Sequence, residues 1–526
     1  MTTQIELNTS LHEGPTVGEL YRSAFRAFGD REALVGGDVR MSYAELAAQV
    51  HRLVRCFDEA GLKPQDSLVL LGTNRPACVS VQIAAHMAGL VYTPLHPLGS
   101  EEDHSFILRD LGAQALVVDP TRHADRGRIL ARQAVAPRVF TLGPADFGID
   151  LTAAAAGYDD SETELRGRPN DVLRIMFSGG STGRSKGIVH VHRTAITTTT
   201  QQLATWEWPD RVRYLATTPI SHAAGALILT TFLQGGTVFL LDKYTPEACL
   251  AMIAREKINT TFMVPTQIYG LLDSPELKRH ALGSLELLLY GAAPMTPARL
   301  RQALETLGPV FAQVYAQVEA PMTVCYLRRD EHDLSHPERL ASCGRVVPGN
   351  QLKLLDEQLR EVPEGEIGEV CLRGPLIMQG YHNRPEETAK TLAGDWLHTG
   401  DMGRMDAHGF VYLVDRAKDM IISGGFNVYS TEVEACLAQH PAVAQSAVIG
   451  VPHDKWGEAV MGVVVLHPGQ DVEAEALMTF VTQRKGAVNT PKFIEFVKAL
   501  PLTSLGKVDK KNLRSHYWSG QERQIS

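Results

Sequence analysis

The seven cysteines of this 526-residue chain follow no pattern that would serve a disulfide framework or a zinc site. They are scattered singly, their number is odd, and no Cys-x-x-Cys pair occurs. Because small disulfide scaffolds and zinc ribbons need paired, regularly spaced cysteines, both classes are excluded. We therefore expect a protein of the reducing cytoplasm.

Long hydrophobic runs are missing as well. The most apolar stretch, residues 223–241, is interrupted by Gln234, Gly235 and Gly236. It is therefore shorter than the ~20 apolar residues of a membrane span, and we predict a buried helix, turn and strand instead of a transmembrane segment. The first residues, MTTQIELNTSLHEGPT, have neither the basic nor the apolar part of a signal peptide, and we expect no export.

The chain also has no excess of positive charge. It has 51 lysines and arginines against 60 aspartates and glutamates, a net charge of -9. This balance disfavours nonspecific binding to nucleic acid or anionic lipid, so no nucleic-acid partner is expected. What the chain does have is an ordinary globular composition, 44% hydrophobic and 21% charged, at a length that exceeds a single hydrophobic core.

The first 300 residues alternate between helical periodicity and short apolar strands. Residues 43–60 have the periodicity of a helix, and residues 67–72 form an apolar run. Such alternation predicts an α/β fold, with mainly parallel sheets covered by helices. From about residue 352 the pattern changes to short strands and tight turns, with a hairpin turn at residues 406–409, which predicts a small antiparallel or barrel-like piece.

After residue 416 the sequence predicts a compact α+β unit. The apolar segments AVIGV, GVVVLH and FIEFV are typical of strands, and Thr431 with Glu434 has the spacing of a capping box that opens a helix. The predicted domains are therefore an N-terminal domain, residues 1–416, and a C-terminal domain, residues 417–526.

A loop rich in glycine and hydroxyl groups follows the predicted strand at residues 175–177. Glycines let successive backbone amides point at an anion, hydroxyls add donors, and a lysine supplies positive charge. This combination predicts a nucleotide-phosphate site. Its residues are Ser178, Gly179, Gly180, Ser181, Thr182, Gly183 and Lys186.

Two other enzyme classes use similar loops. A Walker NTPase needs Gly-Lys followed by Ser or Thr, but the only Gly-Lys here, Gly506-Lys507, is followed by Val508. Residues 179–183 do match the G-x-S-x-G elbow of a hydrolase, with Ser181 as the nucleophile. The hydrolase interpretation explains none of the motifs further along the chain.

Six ordered segments form one pattern over residues 175–514. They are the phosphate loop, YGAAP at 290–294, YAQVE at 315–319, HTGD at 398–401, DRAKDMIISGGFNVYSTEVE at 415–434 and LPLTSLGKVDKKNLR at 500–514. This pattern resembles that of the adenylate-forming superfamily of acyl- and aryl-CoA ligases, adenylation domains and luciferases. The resemblance implies that a carboxylic acid reacts with Mg-ATP to give an acyl-adenylate, and that the acyl group then passes to a thiol, most simply coenzyme A.

The resemblance also assigns residues to the nucleotide. Glu319 would bind magnesium, which prefers carboxylate oxygen. Asp401 would accept hydrogen bonds from both ribose hydroxyls, because a carboxylate offers two acceptor oxygens. The remaining nucleotide contacts implied by the resemblance are Gly291, Ala292, Ala293, Tyr315 and Arg416.

Two residues are the catalytic candidates. In the family, the lysine at the position of Lys507 bridges the acid and the α-phosphate during adenylation, where a positioned charge is effective. The alternative for Lys507 is a solvated lysine of a basic tail with Lys510 and Lys511. His222 matches a position near the acyl carboxylate. By contrast, His190 and His192 have no metal-ligand partners in the pattern, and we interpret them as structural.

The second half-reaction involves the mobile C-terminal domain. In the family this domain rotates about a hinge residue, which is Lys418 here, and the two glycines at Gly424 and Gly425 would line a tunnel for pantetheine.

The chain departs from the family pattern at Ser185, where proline is usual, and in the YAQVE motif. There Ala316 replaces a glycine and Val318 replaces a threonine, which removes one hydroxyl.

Several functions share these motifs. A stand-alone enzyme that loads a carrier protein is the main alternative to a coenzyme A ligase. Further alternatives are an acyl-AMP ligase, a luciferase and a nucleotide-sensing protein.

Small residues at 223–226 leave room for a bulky aryl, alicyclic or medium- to long-chain acid. An amino acid is less favoured, since no aspartate near His222 would bind an ammonium group. The oligomeric state, including a homodimer, is left open.

Overall fold

The computed structural model of the protein describes residues 13–133, 138–178, 185–293, 295–416, 419–423, 426–453, 456–503 and 507–518. The helices in this part of the chain are numbered in chain order. They are α1 (Val17–Phe28), α2 (Tyr43–Glu59), α3 (Pro76–Met87), α4 (Glu101–Leu111), α5 (Pro120–Arg132), α6 (Leu151–Ala155), α7 (His192–Thr205), α8 (Ala226–Leu233), α9 (Pro246–Glu256), α10 (Pro265–Asp273), α11 (Pro297–Leu307), α12 (Pro385–Thr391), α13 (Ser430–Leu437), α14 (Ala474–Asn489) and α15 (Lys510–Ser515).

The strands are numbered in the same way. They are β1 (Glu32–Gly36), β2 (Val39–Ser42), β3 (Ser67–Leu71), β4 (Val91–Leu95), β5 (Ala115–Val118), β6 (Arg138–Thr141), β7 (Ile149–Asp150), β8 (Val172–Ser178), β9 (Lys186–Val191), β10 (Arg213–Ala216), β11 (Thr237–Leu240), β12 (Thr260–Met263), β13 (Leu287–Gly291), β14 (Phe311–Tyr315), β15 (Cys325–Leu327), β16 (Arg345–Val346), β17 (Gln351–Leu355), β18 (Gly368–Arg373), β19 (Gly380–Tyr381), β20 (Leu397–Met405), β21 (Val411–Arg416), β22 (Ile421–Ser423), β23 (Phe426–Val428), β24 (Val443–His453), β25 (Gly457–Leu466) and β26 (Phe493–Phe496).

Two large sheets form the body of the fold. One has the strand order β16-β15-β14-β13-β12-β10-β11-β1-β2, and the other has the order β19-β9-β8-β4-β3-β5-β6-β7. The central pairs of both sheets are parallel, for example β12 with β13 and β3 with β4. Every residue of β3 is buried, as expected of a parallel strand with both faces covered. The predicted α/β class is confirmed.

Helices begin where the local sequence supplies caps. At α2, the Ser42 hydroxyl accepts from the Glu45 amide at 3.2 Å, and the Glu45 carboxylate accepts from the Ser42 amide at 2.7 Å. This reciprocal capping satisfies two amides that the first turn would otherwise leave unpaired. The helix predicted for residues 43–60 is α2, and the strand predicted for 67–72 is β3.

A smaller antiparallel sheet has the strand order β17-β18-β20-β21. The hairpin between β20 and β21 turns at the predicted residues, where the Gly409 amide donates to the Asp406 carbonyl at 2.9 Å and Gly409 has a φ of 78°. This left-handed backbone favours glycine. The predicted antiparallel piece is thus an open four-stranded sheet.

The C-terminal unit contains α13 to α15 and a sheet of β22 to β26. Its predicted capping box is wrong, because α13 begins at Ser430 and Tyr429 is its N-cap residue, without a side-chain cap. The Thr431 hydroxyl instead donates to the Val414 carbonyl, and Glu434 accepts from the Val448 amide at 2.7 Å. Both polar side chains therefore form tertiary hydrogen bonds and do not cap the helix.

None of the helices in the described ranges combines the length and the apolar character that crossing a membrane would take. Residues 223–241 form helix α8 and strand β11, as predicted for this apolar stretch. Phe232 and Phe239 in these elements are fully buried. The division into domains at residues 416 and 417 stays a prediction.

Candidate active site

The predicted phosphate loop connects the two strands of an antiparallel hairpin. Ser178, the last residue of β8, stands opposite Lys186, the first residue of β9. The carboxyl end of a strand beside parallel neighbours is the usual place for a ligand in such a sheet. The other predicted loop contacts lie outside the described residues; they are Gly179, Gly180, Ser181, Thr182 and Gly183.

Lys186 and Glu319 share one aromatic neighbour. The Lys186 ammonium lies 5.2 Å from the centre of the Tyr381 ring, and its Nζ lies 2.6 Å from Glu387 Oε2. The Tyr381 hydroxyl donates to Glu319 Oε1 at 2.9 Å. Burial and the Glu319 charge raise the pKa of Tyr381, so its hydroxyl stays protonated and remains a donor. The structure therefore brings the predicted phosphate lysine close to the predicted magnesium ligand.

The glycine-alanine segment at the end of β13 is shaped by close backbone contacts. A Cβ on Gly291 would lie 2.4 Å from the Val314 carbonyl oxygen, so the strand pairing at this point requires glycine. Ala292 has a φ of 67°, a left-handed conformation that costs a non-glycine residue about 1 to 2 kcal/mol. Strained backbone of this kind often marks a binding site. Ala292 is exposed and Ala293 is half-buried, which leaves a flat, small-residue surface beside the strand end.

Asp401 is a buried carboxylate held by two donors. Its Oδ2 accepts from the Tyr315 hydroxyl at 2.7 Å and from the Gln317 side-chain amide at 2.6 Å. Gln317 also donates to the Thr399 carbonyl at 2.9 Å. These bonds connect the YAQVE segment to the HTGD segment, which are distant in the sequence, and they fix the orientation of the Asp401 carboxylate.

Arg416 is the strand partner of Asp401 in the pairing of β20 with β21. The Arg416 side chain lies outside the described part of the chain, so its contact with the nucleotide stays a prediction. The predicted hinge residue Lys418 and the predicted tunnel residues Gly424 and Gly425 also lie outside it.

His222 sits in a turn that long-range contacts hold. The turn precedes α8, and it is anchored by Asn74, whose Oδ1 accepts from the Ile220 amide at 2.9 Å. The Asn74 amide group donates to the Thr218 carbonyl at 2.9 Å. Nδ1 of His222 lies 2.9 Å from the Ser221 hydroxyl oxygen. Asn74 follows strand β3 of one large sheet, whereas the turn follows β10 of the other. A residue of one sheet therefore holds a turn of the other in place.

A second histidine packs against His222. The ring of His96 meets the His222 ring edge to face, with 4.7 Å between the ring centres. Burial, together with the charges of His96 and Lys507, lowers the pKa of His222 to about 3. His222 is therefore a neutral imidazole near pH 7, and the two groups whose charges act on it are both basic.

Lys507 interacts electrostatically with His222 although the two residues are far apart in the chain. Its charge is one of the causes that lower the His222 pKa. The Thr503 amide donates to the Lys507 carbonyl at 2.7 Å. Leu502 and Val508 form an antiparallel bridge. These contacts hold the backbone at Lys507.

Sequence reasoning missed four residues of this site. Gln317 lies inside a motif, but its role was not apparent because the family pattern leaves that position variable. Asn74, His96 and Tyr381 belong to no motif, and only the fold brings them to the site. No sequence signal identified them.

Glu369, Cys371 and His398 form the one three-residue group in the described ranges whose side chains could hold a metal ion. His398 Nδ1 lies 2.7 Å from Glu369 Oε2 and 3.4 Å from Cys371 Sγ. Burial and the Glu369 charge raise the pKa of Cys371 to about 12, which keeps the thiol protonated. Hydrogen bonding within the sheet accounts for this cluster.

Comparisons with known proteins identify the family of the chain. The chain matches the family model of the AMP-binding enzyme over residues 21–382 and that of the AMP-binding enzyme C-terminal domain over residues 432–507. It is 40% identical to a medium/long-chain-fatty-acid–CoA ligase of Mycobacterium tuberculosis, over 97% of this chain and 91% of that protein. It is 36% identical to a feruloyl-CoA synthase of Amycolatopsis, over 91% of this chain and 95% of that protein.

A solved structure is similar over the whole fold. It is the amide bond synthetase from Marinactinospora thermotolerans, with a TM-score of 0.89 and 32% sequence identity. The similarity covers 95% of this chain and 100% of that one.

Proposed function

Because this chain belongs to the AMP-binding enzyme family, in its acyl- and aryl-CoA ligase branch, we propose that it activates an apolar carboxylic acid with ATP and transfers the acyl group to coenzyme A. The observation that carries the proposed roles is the Asp401 carboxylate, which the Tyr315 hydroxyl and the Gln317 amide hold in place. It joins the YAQVE and HTGD segments, and the charge of Lys507 acts on the predicted acid-binding residue His222.

In the first half-reaction the acid carboxylate attacks the α-phosphate of ATP. A new carboxyl-oxygen–phosphorus bond forms, and the bond to the bridging oxygen breaks, so that pyrophosphate leaves with the electron pair. Negative charge grows on the α-phosphate during this step. Lys507 is proposed to stabilise that charge, because a cation held in advance needs no reorganisation as the charge develops.

The nucleotide is proposed to lie across the ends of β8, β13 and β14. Asp401, oriented by Tyr315 and Gln317, would accept the ribose hydroxyls. Gly291 to Ala293 offer a small-residue surface on which adenine could pack, and Lys186 would face the phosphates. Magnesium, when bound by Glu319, would neutralise phosphate charge. The donor type fits such an ion, since Glu319 offers carboxylate oxygens and Tyr381 already holds this side chain.

In the second half-reaction the thiol of coenzyme A attacks the acyl carbon. The carbon–sulfur bond forms, AMP leaves, and the thiol proton passes to solvent or to a nearby base. Lys418 is proposed as the hinge for the rotation that removes Lys507, and Gly424 with Gly425 as the tunnel for pantetheine. These three assignments follow from the family resemblance.

The acid is proposed to be uncharged apart from its carboxylate. The Lys507 cation, whose charge acts on the pKa of His222, would repel the ammonium group of an amino acid. Ala223 and Ala226, half-buried beside the turn that carries His222, are small side chains that would leave space for an aryl or a chain-like group. The names of the two curated relatives, which act on a fatty acid and on ferulate, are consistent with this range.

The test is a pyrophosphate-release screen of the purified protein with ATP and magnesium. The panel contains medium- and long-chain fatty acids, cinnamic acids, alicyclic acids and amino acids, each with and without coenzyme A. We expect acid-dependent release that coenzyme A accelerates, with the acyl-CoA thioester detected by mass spectrometry. Release that coenzyme A does not affect would favour a carrier-loading enzyme.

A second arm replaces coenzyme A by a simple amine, because the solved neighbour is named an amide bond synthetase. If an amine but not coenzyme A consumes the adenylate, the proposed acceptor is wrong. No release with any acid would contradict the adenylation step itself.

A further inference from the structure

His190 is a fully buried histidine on β9 with a hydrogen-bond partner at each ring nitrogen. Its relative exposure is 1%. Nε of Arg174, on the neighbouring strand β8, lies 3.1 Å from His190 Nδ1. On the other side, His190 Nε2 lies 2.8 Å from the carbonyl oxygen of Val318. The side chain therefore connects the phosphate-loop hairpin to the YAQVE motif.

The partners determine where the proton of His190 lies. An arginine side chain only donates hydrogen bonds, so Nδ1 must be the acceptor. The proton of the neutral ring is then on Nε2, which donates to the Val318 carbonyl. Burial and the Arg174 charge lower the pKa of His190 to about 3, in agreement with a neutral ring. Because Arg174 and His190 are direct partners in the strand register, the backbone itself holds this pair in place.

The carbonyl that His190 binds lies directly before Glu319. The short turn that carries Glu319 is closed by hydrogen bonds between Gln317 and Ala320, both at 3.2 Å. Beyond Glu319, its own carbonyl accepts from the Met378 amide at 2.9 Å. The peptide groups before and after Glu319 are thus each held by a donor from outside the turn, and the Tyr381 hydroxyl holds the carboxylate.

The sequence of this turn makes a hydrogen-bond donor from outside the turn more important. At residue 318 the family pattern has a threonine, whose hydroxyl is replaced here by the methyl groups of valine. The side chain of residue 318 can no longer form a hydrogen bond, so only its backbone can be held by one. His190 supplies that bond.

We propose that His190 is a positioning residue for the adenylation half-reaction, which orients Glu319 toward magnesium-bound ATP by holding the Val318 carbonyl. The proposal rests on the proposed role of Glu319. Arg174 acts one step further away, by fixing which nitrogen of His190 carries the proton. His190 itself does not touch the nucleotide.

The test compares His190→Leu, which removes the donor, with His190→Gln, whose side-chain amide can both accept from Arg174 and donate to Val318. The matched control is His192→Leu. His192 is equally buried, at 1% exposure, but its Nδ1 accepts from the Val17 amide at 3.0 Å and it has no contact with the turn among the hydrogen bonds described.

The main measurement is ATP affinity by titration calorimetry, without acid substrate, in excess magnesium and again in EDTA. We expect His190→Leu to weaken binding about ten- to a hundredfold with magnesium, the range for lost outer-shell partners of a metal site, and to change it little in EDTA. His190→Gln should restore most of the affinity. His192→Leu should lower thermal stability without this magnesium-dependent loss.

A second readout separates the half-reactions. With acyl-adenylate supplied, His190→Leu should form thioester at the wild-type rate, because that step needs neither ATP nor magnesium. Equal weakening with and without magnesium, or equal behaviour of the His190 and His192 leucine variants, would overturn the proposal. A Glu319→Gln variant is measured in parallel: if it binds magnesium-bound ATP normally, the assigned role of Glu319 is wrong, whereas its failure beside an unaffected His190→Leu rejects only the positioning role.

Discussion

Three lysines near the C-terminus have different surroundings. Lys510 is paired with Glu434 at 2.7 Å and donates to the Ser430 hydroxyl at 2.6 Å, so it ties α15 to the start of α13. Lys511, next to it, is exposed. Lys507 acts on the pKa of His222. The three basic residues therefore have different environments, and Lys507 is the one for which a catalytic role is proposed.

At the residue scale, we expect Lys507→Ala to lower acyl-adenylate formation about a thousandfold, the size of effect found when a preorganised charge-stabilising donor is lost. Thioester formation from supplied acyl-adenylate should be nearly unchanged, because Lys507 is proposed to act only in the first step. Single-turnover assays of each half-reaction measure this directly.

Lys511→Ala is the control for that variant, since it removes an exposed lysine from the same segment. It should leave both half-reactions unchanged. An equal loss of both half-reactions in Lys507→Ala would contradict the assignment.

At the scale of elements, the turn between β10 and α8 determines where His222 lies. The turn is compact: a Cβ on Gly225 would lie 2.0 Å from the Ile220 carbonyl oxygen. The Gly225 amide donates to the His222 carbonyl at 3.0 Å. Close backbone packing therefore holds this element, in addition to the bonds from Asn74.

We expect Gly225→Ala to destabilise the protein by about 1 to 3 kcal/mol, the usual range for overpacking, because the added methyl group must displace backbone. Displacing the turn also moves His222, so the KM for the acid should rise more than the KM for ATP. Urea unfolding and steady-state kinetics measure the two effects. Gly283→Ala is the control, since a Cβ there would meet nothing within 4 Å.

If Gly225→Ala unfolds at the wild-type urea concentration, the packing argument is wrong.

Contacts between elements account for the failed capping prediction at Thr431 and Glu434. Capping boxes form at α1 and α2, whereas Glu434 bonds to the Val448 amide and pairs with Lys510. A local motif is not sufficient where tertiary partners are available.

At the scale of the whole molecule, buried histidines couple stability to pH. His86, His190, His192 and His332 are all at most 6% exposed. Burial lowers the pKa of His190 to about 3, and those of His192 and His332 to about 4. The pKa of His86 is lowered well below its ordinary value of 6.5. Each of these rings is neutral in the folded state.

The sign of the pH effect follows from proton binding. Between pH 6.5 and the lowered folded pKa values, the unfolded chain binds protons that the folded protein does not. Stability is therefore complete above pH 6.5 and falls as the pH falls. Each histidine should contribute a loss of about 2 kcal/mol between pH 6.5 and pH 5.

We therefore expect urea unfolding midpoints to be markedly lower at pH 5 than at pH 7.5. His86→Leu should reduce this difference, because both ring nitrogens of His86 are buried without a hydrogen-bond partner among the described residues and leucine cannot be protonated. His336→Gln, at an exposed histidine, should leave the difference unchanged. A pH-independent midpoint would contradict the assignment of neutral buried rings.

The sequence by itself determined the fold class and most of the proposed nucleotide site. The spacing of apolar residues predicted α2 and β3. That spacing shows which face of a helix or strand is buried, so it can be recognised without the tertiary structure. The motifs predicted Ser178, Glu319, Asp401 and Lys507 because each motif is a short run of residue types that can be recognised in the sequence itself.

Only the tertiary structure decided which side chains support that site. Tyr381 is 62 residues from Glu319, His190 is 128 residues from Val318, and Asn74 is 146 residues from Ile220. Hydrogen bonds between residues so far apart in the sequence depend on how the chain runs through the two sheets. A short sequence pattern does not predict that course. For the same reason His190, interpreted from the sequence as structural, gained its proposed role only when the fold placed Arg174 on one side of it and Val318 on the other.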